Sequence, residues 1–294
     1  MRGLTIGGAT VALSSLRGRR PWAVDRLHRA FVGTGGAPRL DVAVRPLAPA
    51  VPPSGDVVFD SGTGWDVART RDGWSCRFWH TGARPRLAQA LVADRRWRRA
   101  TLYVPAGDEP FFLAYPVEPF LFLNLLTRSA ALVVHAAGVV RDGRAWLFTG
   151  PHGAGKSTIA TLLGRDPATA LLSDDRVVVR RLRGRWHAWG TPWSGTVRRA
   201  TSPAPAPLAA VCFIRHGVTT RAAPLAPGAA ATRLVPRCLH PFWDRAGLAG
   251  LLASAEHLAA AVPCFELPFV PRAEAIVGAV EAALGAARRP DPGR

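Results

Sequence analysis

The chain has 38 Lys and Arg residues, and only one of them, Lys156, is a lysine. It lies in a segment that matches the pattern G-x-x-x-x-G-K-[ST] completely: Gly150, Pro151, His152, Gly153, Ala154, Gly155, Lys156 and Ser157. In this pattern the backbone N–H groups of the loop wrap phosphate groups, the ammonium reaches the β- and γ-phosphate oxygens, and the hydroxyl of Ser157 ligates Mg²⁺. A planar, forked guanidinium fits such a loop poorly, which explains a lysine here and arginine elsewhere.

The residues that flank this segment have the periodicity that a phosphate-binding loop requires. Arg144 to Phe148 predicts a strand that runs into the loop, and Thr158 to Leu163 predicts a helix that Gly164 closes. Strand, glycine-rich loop and helix in this order favour a nucleotide site over a chance match of the pattern. We therefore expect ATP and Mg²⁺ to bind at residues 150–158, with Thr158 as the last member of the set.

Two adjacent carboxylates, Asp174 and Asp175, follow a strand predicted from Leu171 onward. This strand comes directly after the helix of the loop, so its end is expected beside the γ-phosphate. One carboxylate could hold Mg²⁺ there while the other accepts the proton of an incoming hydroxyl. A solvated turn at the end of a strand is the alternative. His135, in the preceding apolar strand, could orient one carboxylate or be a core histidine.

Three segments together resemble the C-terminal catalytic domain of HPr kinase/phosphorylase. They are Val134 to Val139, Gly150 to Thr158 and Ser173 to Val177, which have the same order of a strand histidine, a Walker A loop and an Asp-Asp pair. The close match covers residues 131–182. The resemblance implies an α/β fold, the P-loop nucleotide-binding domain of HPr kinase / phosphoenolpyruvate carboxykinase type.

The resemblance also implies roles for these residues. Asp174 would be the proton acceptor, aided by His135, and Asp175 the Mg²⁺ partner together with Ser157. The expected activity is an ATP- and Mg²⁺-dependent kinase whose acceptor is a Ser or Thr hydroxyl of a protein or peptide. The chain has no later Pro-Gly-Arg-Asn-type segment, so the phosphorylase reaction and HPr as the acceptor are not part of the prediction.

The organisation of the chain predicts two domains and a tail. Residues 1–127 predict a β-rich N-terminal domain, with short β-type runs between Gly- and Pro-rich turns at 40–44, 57–60, 74–79 and 100–104. Residues 128–290 hold the predicted kinase-like domain, and residues 291–294 are expected to be frayed. In that domain, Asp142-Gly143 and Arg183-Gly184-Arg185 predict hairpin turns. Further strands are predicted at 131–140, 177–182, 186–189, 208–214 and 264–267, and helices at 244–261 and 273–287. Helical spacing from Glu118 to Leu132 predicts a helix between the two domains.

The composition limits the class of protein. Hydrophobic residues make up 48% of the chain, yet the longest apolar stretch, Pro119 to Val140, contains Asn124, Arg128 and His135, so a membrane span is not expected. Residues 4–13 resemble a signal peptide only faintly because no small-residue cleavage site follows. The four cysteines are widely spaced, which is typical of core thiols in a reducing cytoplasm, so a cytoplasmic location is expected.

The formal charge of +18 suggests an acidic partner. The Arg residues are scattered, however, and only Arg95-Arg96-Trp97-Arg98-Arg99 forms a dense cluster. No recognised nucleic-acid motif is found, so we expect an acidic protein or peptide acceptor rather than nucleic acid. The cluster could equally be a solvated face.

Three other functions fit the same residues. A regulatory ATPase would pass the phosphate to water only, and a small-molecule kinase would present a compact pocket beside Asp174. A nucleic-acid-binding module would show affinity that falls steeply with salt and does not depend on ATP.

Replacing Lys156 tests the reasoning from the single lysine. Lys156→Ala is expected to reduce ATP turnover sharply with the fold intact, because the ammonium is expected to contact ligand phosphates. Lys156→Arg is expected to fail nearly as badly, since the longer planar group would crowd the loop. Full turnover by the Arg variant in a steady-state ATP assay would show that this reasoning is wrong.

Overall fold

The computed structural model describes residues 2–15, 26–33, 35–47, 55–80, 86–105, 116–197 and 201–288. The predicted tail, residues 291–294, lies outside these ranges. The chain forms two compact units. Unit 1 is Met1–Leu125 with Pro241–Gly247, and unit 2 is Leu126–His240 with Leu248–Arg294.

Unit 1 contains one eight-stranded sheet and a helix. Its elements are β1 (Arg2–Ile6), β2 (Ala9–Ser15), β3 (Arg39–Pro46), β4 (Asp56–Asp60), β5 (Trp65–Arg69), β6 (Gly73–His80), β7 (Arg86–Asp94), β8 (Arg99–Val104) and α1 (Val117–Leu126). The strand order is β1-β2-β3-β8-β7-β6-β5-β4. β3 is parallel to β2 and β8, and the other neighbours are antiparallel.

The strands of unit 1 show the alternation that a half-buried sheet requires. In β3, for example, Leu40, Val42 and Val44 are buried while the residues between them are more exposed. The sequence predicted β3, β4, β6 and β8, and these are confirmed. It missed β5 and β7, whose short runs carry charged residues. The apolar N-terminal stretch forms β1 and β2, which pair with each other.

The arginine cluster 95–99 is the turn between β7 and β8. The carboxylate of Asp94 organises it by accepting hydrogen bonds from the backbone N–H groups of Arg96, Arg98 and Arg99. Trp97, inside the cluster, is fully buried, and its ring packs edge-on against Phe120 at 5.7 Å. Trp97 is therefore a core residue, and only the arginines face solvent.

The region between the two predicted domains differs from the prediction. The helix expected over Glu118 to Leu132 ends at Leu126, because Ala131 already begins a strand. Residues 241–247 belong to unit 1, which the sequence did not predict. Trp243 explains this placement, since its ring stacks on Phe120 at 5.0 Å and its indole N–H donates to Oδ1 of Asn124 at 2.9 Å.

The described residues of unit 2 form eight strands, four further α-helices and one short 3₁₀ helix. The elements are β9 (Ala131–Arg141), β10 (Arg144–Thr149), α2 (Lys156–Leu163), β11 (Thr169–Ser173), β12 (Arg176–Leu182), β13 (Arg185–Trp189), β14 (Pro205–His216), β15 (Ala223–Pro224), α3 (Pro227–Leu234), α4 (Arg245–Ala261), β16 (Cys264–Phe269) and α5 (Ala273–Arg288). The strand order is β10-β9-β12-β13-β14-β16-β15, and β11 also pairs with β9. A parallel pairing of β10 with β14 closes a ring of β9, β10, β14, β13 and β12.

Two hydrophobic cores lie on opposite faces of the unit 2 sheet, and β9 contributes to both. Leu132, Val134 and Ala136 join the core that includes α3 and α4, while Ala137 and Val139 join the core that includes α2 and α5. This two-residue alternation is what a strand between two helical layers must show. Unit 2 is therefore a mixed α/β unit.

The predicted hairpins of unit 2 are confirmed. Asp142 and Gly143 connect β9 to β10 with φ values of +47° and +70°, and Arg183 and Gly184 connect β12 to β13 with similar values. Two successive residues with positive φ form the turn whose twist matches paired strands. The predicted strands and helices after residue 130 agree with the structure, and β15 and α3 were not predicted.

All four cysteines are buried free thiols, as predicted. None of the described helices combines the length and the hydropathy that a membrane span needs.

The core position of Trp97 gives a stability prediction. Trp97→Ala is expected to lower the free energy of unfolding by about 3–5 kcal/mol, because it removes a fully buried aromatic side chain. Arg96→Ala is the matched control in the same turn, and a change within about 0.5 kcal/mol is expected because the side chain is exposed. Urea unfolding followed by circular dichroism measures both, and equal stabilities for the two variants would contradict the buried role.

Candidate functional site

Strand β9 gathers the predicted site residues because each of its edges has two partners. Along one edge, β11 pairs with residues 138–141 and β12 with residues 131–135, so the chain between them crosses at Asp174 and Asp175. Along the other edge, β10 pairs with residues 136–141 and then enters the glycine-rich loop. His135 is the last residue of β9 that pairs with β12, and it directly precedes the residues that pair with β10. Its carbonyl accepts a hydrogen bond from the hydroxyl of Thr149, the last residue before the loop, at 2.9 Å.

The glycine-rich loop, residues 150–157, has a backbone that only glycine adopts easily. Gly155 has a φ of +99°, and a Cβ there would lie 2.6 Å from the ring of Phe269. The N–H groups of Gly155, Lys156 and Ser157 make no hydrogen bond within the described residues. These donors at the start of α2 are available to an anion. Nε2 of His216 donates to the carbonyl of Gly153 at 2.8 Å, which fixes the outer part of the loop.

Lys156 is buried under the loop and is only 7% exposed. Its Nζ donates to the carbonyls of Gly150 and Pro151, at 3.0 Å each. The expectation that the ammonium contacts only ligand phosphates is therefore wrong. Burial lowers the pKa of Lys156 most, the positive charge of Arg237 lowers it further, and the negative charge of Asp175 opposes them. The positive charge of the protonated amine is thus not fully compensated by the groups around it.

Asp174 is buried, and both of its oxygens are used within the protein. Oδ1 accepts from the N–H of Gly195 at 2.9 Å, and Oδ2 accepts from the N–H of Val197 at 2.8 Å. A Cβ at Gly195 would lie 3.1 Å from Oδ2 of Asp174 and 3.3 Å from Cβ of Asp175. Asp174 therefore holds the segment 195–197 against the site.

Asp175, not Asp174, contacts His135. Nδ1 of His135 donates to Oδ1 of Asp175 at 3.1 Å, and Nη1 of Arg176 donates to Oδ2 at 2.9 Å. The strand pairing produces this contact, since Arg176 lies opposite His135 and the carbonyl of Asp175 accepts from the N–H of Ala136. The side chain of His135 is 40% exposed, and its Nε2 makes no hydrogen bond within the described residues.

The pKa of Asp175 is lowered. Desolvation by burial raises it, but the hydrogen bond from His135 and the charges of Arg176, His135 and Lys156 outweigh this effect. Because the folded-state value lies below the unfolded one, the carboxylate stabilises the fold at neutral pH. This contribution is lost as the pH falls through the lowered value.

The structure brings most of the predicted site residues together and changes their partners. Lys156, Asp175 and His135 interact around the glycine-rich loop. The expected pairing of His135 with Asp174 is wrong, because Asp174 faces the 195–197 segment. The sequence did not indicate Arg176 as a partner of Asp175, because adjacency in sequence does not tell where a side chain points. It did not indicate Gly195 and Val197 as partners of Asp174, because no pattern links residues more than twenty positions apart.

Comparisons with known proteins give limited similarity beyond one family. No curated protein matches the chain. One of the matching solved structures is the "Structure of the Hpr(Ser) kinase/phosphatase from Coxiella burnetii". It is 10% identical, has a TM-score of 0.27, and covers 53% of this chain and 90% of that chain. Similarity at this level assigns neither a fold nor an activity to this chain.

One family model matches residues 120–269, which are just over half of the chain. Its description is "SynChlorMet cassette protein ScmC". The matched range runs from α1 to the end of β16 and includes the glycine-rich loop, His135 and both aspartates. The chain therefore belongs to the ScmC family of SynChlorMet cassette proteins.

Proposed function

We propose that unit 2 is a P-loop nucleotide-binding domain of HPr kinase / phosphoenolpyruvate carboxykinase type. In this proposal it transfers the γ-phosphoryl group of ATP to a Ser or Thr hydroxyl of a protein or peptide. The observation that carries the proposal is the meeting of three groups beside one glycine-rich loop. These are the ammonium of Lys156, the carboxylate of Asp175 and the open imidazole of His135. Phosphoryl transfer needs a held phosphate, charge neutralisation and a proton acceptor, and these groups could supply them.

The phosphate-binding part of the proposal rests on the loop. The N–H groups at the start of α2 point to no protein acceptor in the described structure, and the ammonium of Lys156 lies directly beneath them. A triphosphate would accept hydrogen bonds from these donors and compensate the charge of the buried lysine. Binding would then remove the electrostatic cost that lowers the pKa of Lys156.

The donor chemistry at the loop fits Mg²⁺. The hydroxyl of Ser157 and the carboxylate of Asp175 are oxygen ligands, and Mg²⁺ in nucleotide sites usually takes one or two protein oxygens together with phosphates and water. Asp175 remains ionised at neutral pH because its pKa is lowered. The ion would neutralise charge on the phosphates.

His135 is the better proton acceptor in this geometry. Its Nδ1 is engaged with Asp175, which fixes the ring and stabilises an imidazolium, and its other nitrogen is left for the acceptor hydroxyl. Asp174 is less suited to this work because it is only 3% exposed and both of its oxygens accept backbone hydrogen bonds. We therefore assign Asp174 to holding the 195–197 segment, and His135 with Asp175 to the transfer.

Incubation with ATP labelled at the γ-phosphate and a size-fractionated lysate of the source cells tests the activity. A labelled polypeptide with the wild-type chain, and none with Lys156→Ala, is the expected result. Phosphate release without a labelled product would instead support a regulatory ATPase, and label in the small-molecule fraction would support a small-molecule kinase.

Variants of the three acidic and basic groups separate their roles. His135→Gln and Asp175→Asn are expected to slow single-turnover transfer by roughly 10²- to 10⁴-fold. The melting temperature is expected to stay near that of the wild type for His135→Gln and to fall slightly for Asp175→Asn, because the ion pair with Arg176 is lost. Asp174→Asn is expected to lower the melting temperature, because one backbone N–H would face an amide NH₂ instead of an acceptor.

Calorimetric unfolding and rapid-quench kinetics on the same preparations measure both effects. If the Asp174→Asn protein has native stability but does not transfer the phosphoryl group, the proton acceptor is Asp174 and the assignment to His135 is wrong.

A further inference from the structure

Next to the residues that pair with β10, the same edge of β9 contacts a short segment from elsewhere in unit 2. Cys238 forms an antiparallel bridge with Val134, and the N–H of Leu239 donates to the carbonyl of Val133 at 2.9 Å. Arg237 ends a short 3₁₀ helix, Val235–Arg237, directly before this bridge. Its backbone therefore lies near His135, on the edge where the chain enters the glycine-rich loop.

Arg237 is a half-buried cation without an anionic partner. Within the described ranges it makes no hydrogen bond and no ion pair. Arg233, one turn earlier, differs in this respect, since its Nη1 lies 3.0 Å from Oε2 of Glu266. A partly buried guanidinium normally finds a carboxylate or a carbonyl, because leaving its donors unpaired costs free energy.

The positive charge of Arg237 acts on the ammonium of Lys156 and makes protonation of that amine less favourable, while the negative charge of Asp175 acts in the opposite direction. Asp175 already interacts with His135 and Arg176, and Asp174 accepts hydrogen bonds from two backbone N–H groups. The repulsion between the two cations is unfavourable in the free protein. A multiply charged anion bound between them would reverse this effect.

We infer that Arg237 binds the terminal phosphoryl group of the nucleotide together with Lys156. The inference rests on the proposed function and adds a residue to it. The position beside His135 selects the terminal group, because the N–H groups of the loop surround the inner phosphates while His135 marks the side from which the acceptor hydroxyl approaches. A guanidinium presents several donors in a plane and stabilises the charge that spreads over the transferred phosphoryl oxygens.

The test compares the affinities of MgATP and MgADP, measured by calorimetry, in the wild type and in Arg237→Ala. The variant is expected to bind MgATP roughly 10- to 100-fold more weakly and to bind MgADP with nearly unchanged affinity, since only ATP carries the terminal group. Single-turnover transfer is expected to fall further, by roughly 10³-fold, because the contact strengthens as charge develops.

Arg233→Ala is the matched control, because it removes a guanidinium from the same segment that is already paired with Glu266. It is expected to change neither affinity. Arg237→Gln preserves most of the side-chain volume and repeats the measurement if the alanine variant is unstable. Equal losses of MgATP and MgADP affinity, or no loss of either, would overturn the assignment of Arg237 while the proposed function stands.

A wild-type chain that binds neither nucleotide would overturn the proposed function, and this assignment with it. The two failures are thus separate, since one is observed in the wild type and the other only in the variants.

Discussion

The pairing of β9 is the constraint on which the site depends. Eleven residues long, it is paired by β10, β11 and β12 and by a bridge from Cys238, and each of these neighbours ends or begins near residues 134–138. Four chain segments therefore stop at the same level of one strand. Where strands stop, side chains and loops are free to face a ligand, which is why functional residues concentrate at such places. A shift of β9 by one residue would turn His135 into a core and a valine into the site.

The electrostatics of the site follow from this arrangement. Lys156, Arg176 and Arg237 come to the same region from three different segments, and Asp175 is the carboxylate that acts on both Lys156 and Arg176. The second carboxylate, Asp174, faces backbone N–H groups instead. The region thus keeps an excess of positive charge in a partly desolvated place, where water screens it less than on the surface. An anionic ligand is the natural complement of that excess, and the high net charge of the chain alone would not have located it.

The sequence predicted those features of unit 2 that depend on local patterns. The strand before the loop, the helix after it and both hairpin turns follow from residues within about ten positions of one another, and the structure has them. The partner of His135 was predicted wrongly, since His135 contacts Asp175 and not Asp174. Adjacent side chains point in different directions, and the direction of each depends on a partner far along the chain. The N–H groups of Gly195 and Val197 donate to Asp174, and His135 of β9 donates to Asp175. Arg237 was missed for the same reason, because about a hundred residues separate it from His135.

The choice of lysine at 156 and arginine at 237 agrees with the space around each. Nζ of Lys156 lies between the carbonyls of Gly150 and Pro151, and the side chain is almost inaccessible. A compact ammonium can donate to both carbonyls and still direct a third hydrogen toward a ligand, whereas a guanidinium needs a flat space larger than this one. Arg237 is less buried and directly precedes the bridge between Cys238 and Val134, so its long side chain has room to present a planar fork. The bias of the chain toward arginine is thus interrupted only where a planar cation does not fit.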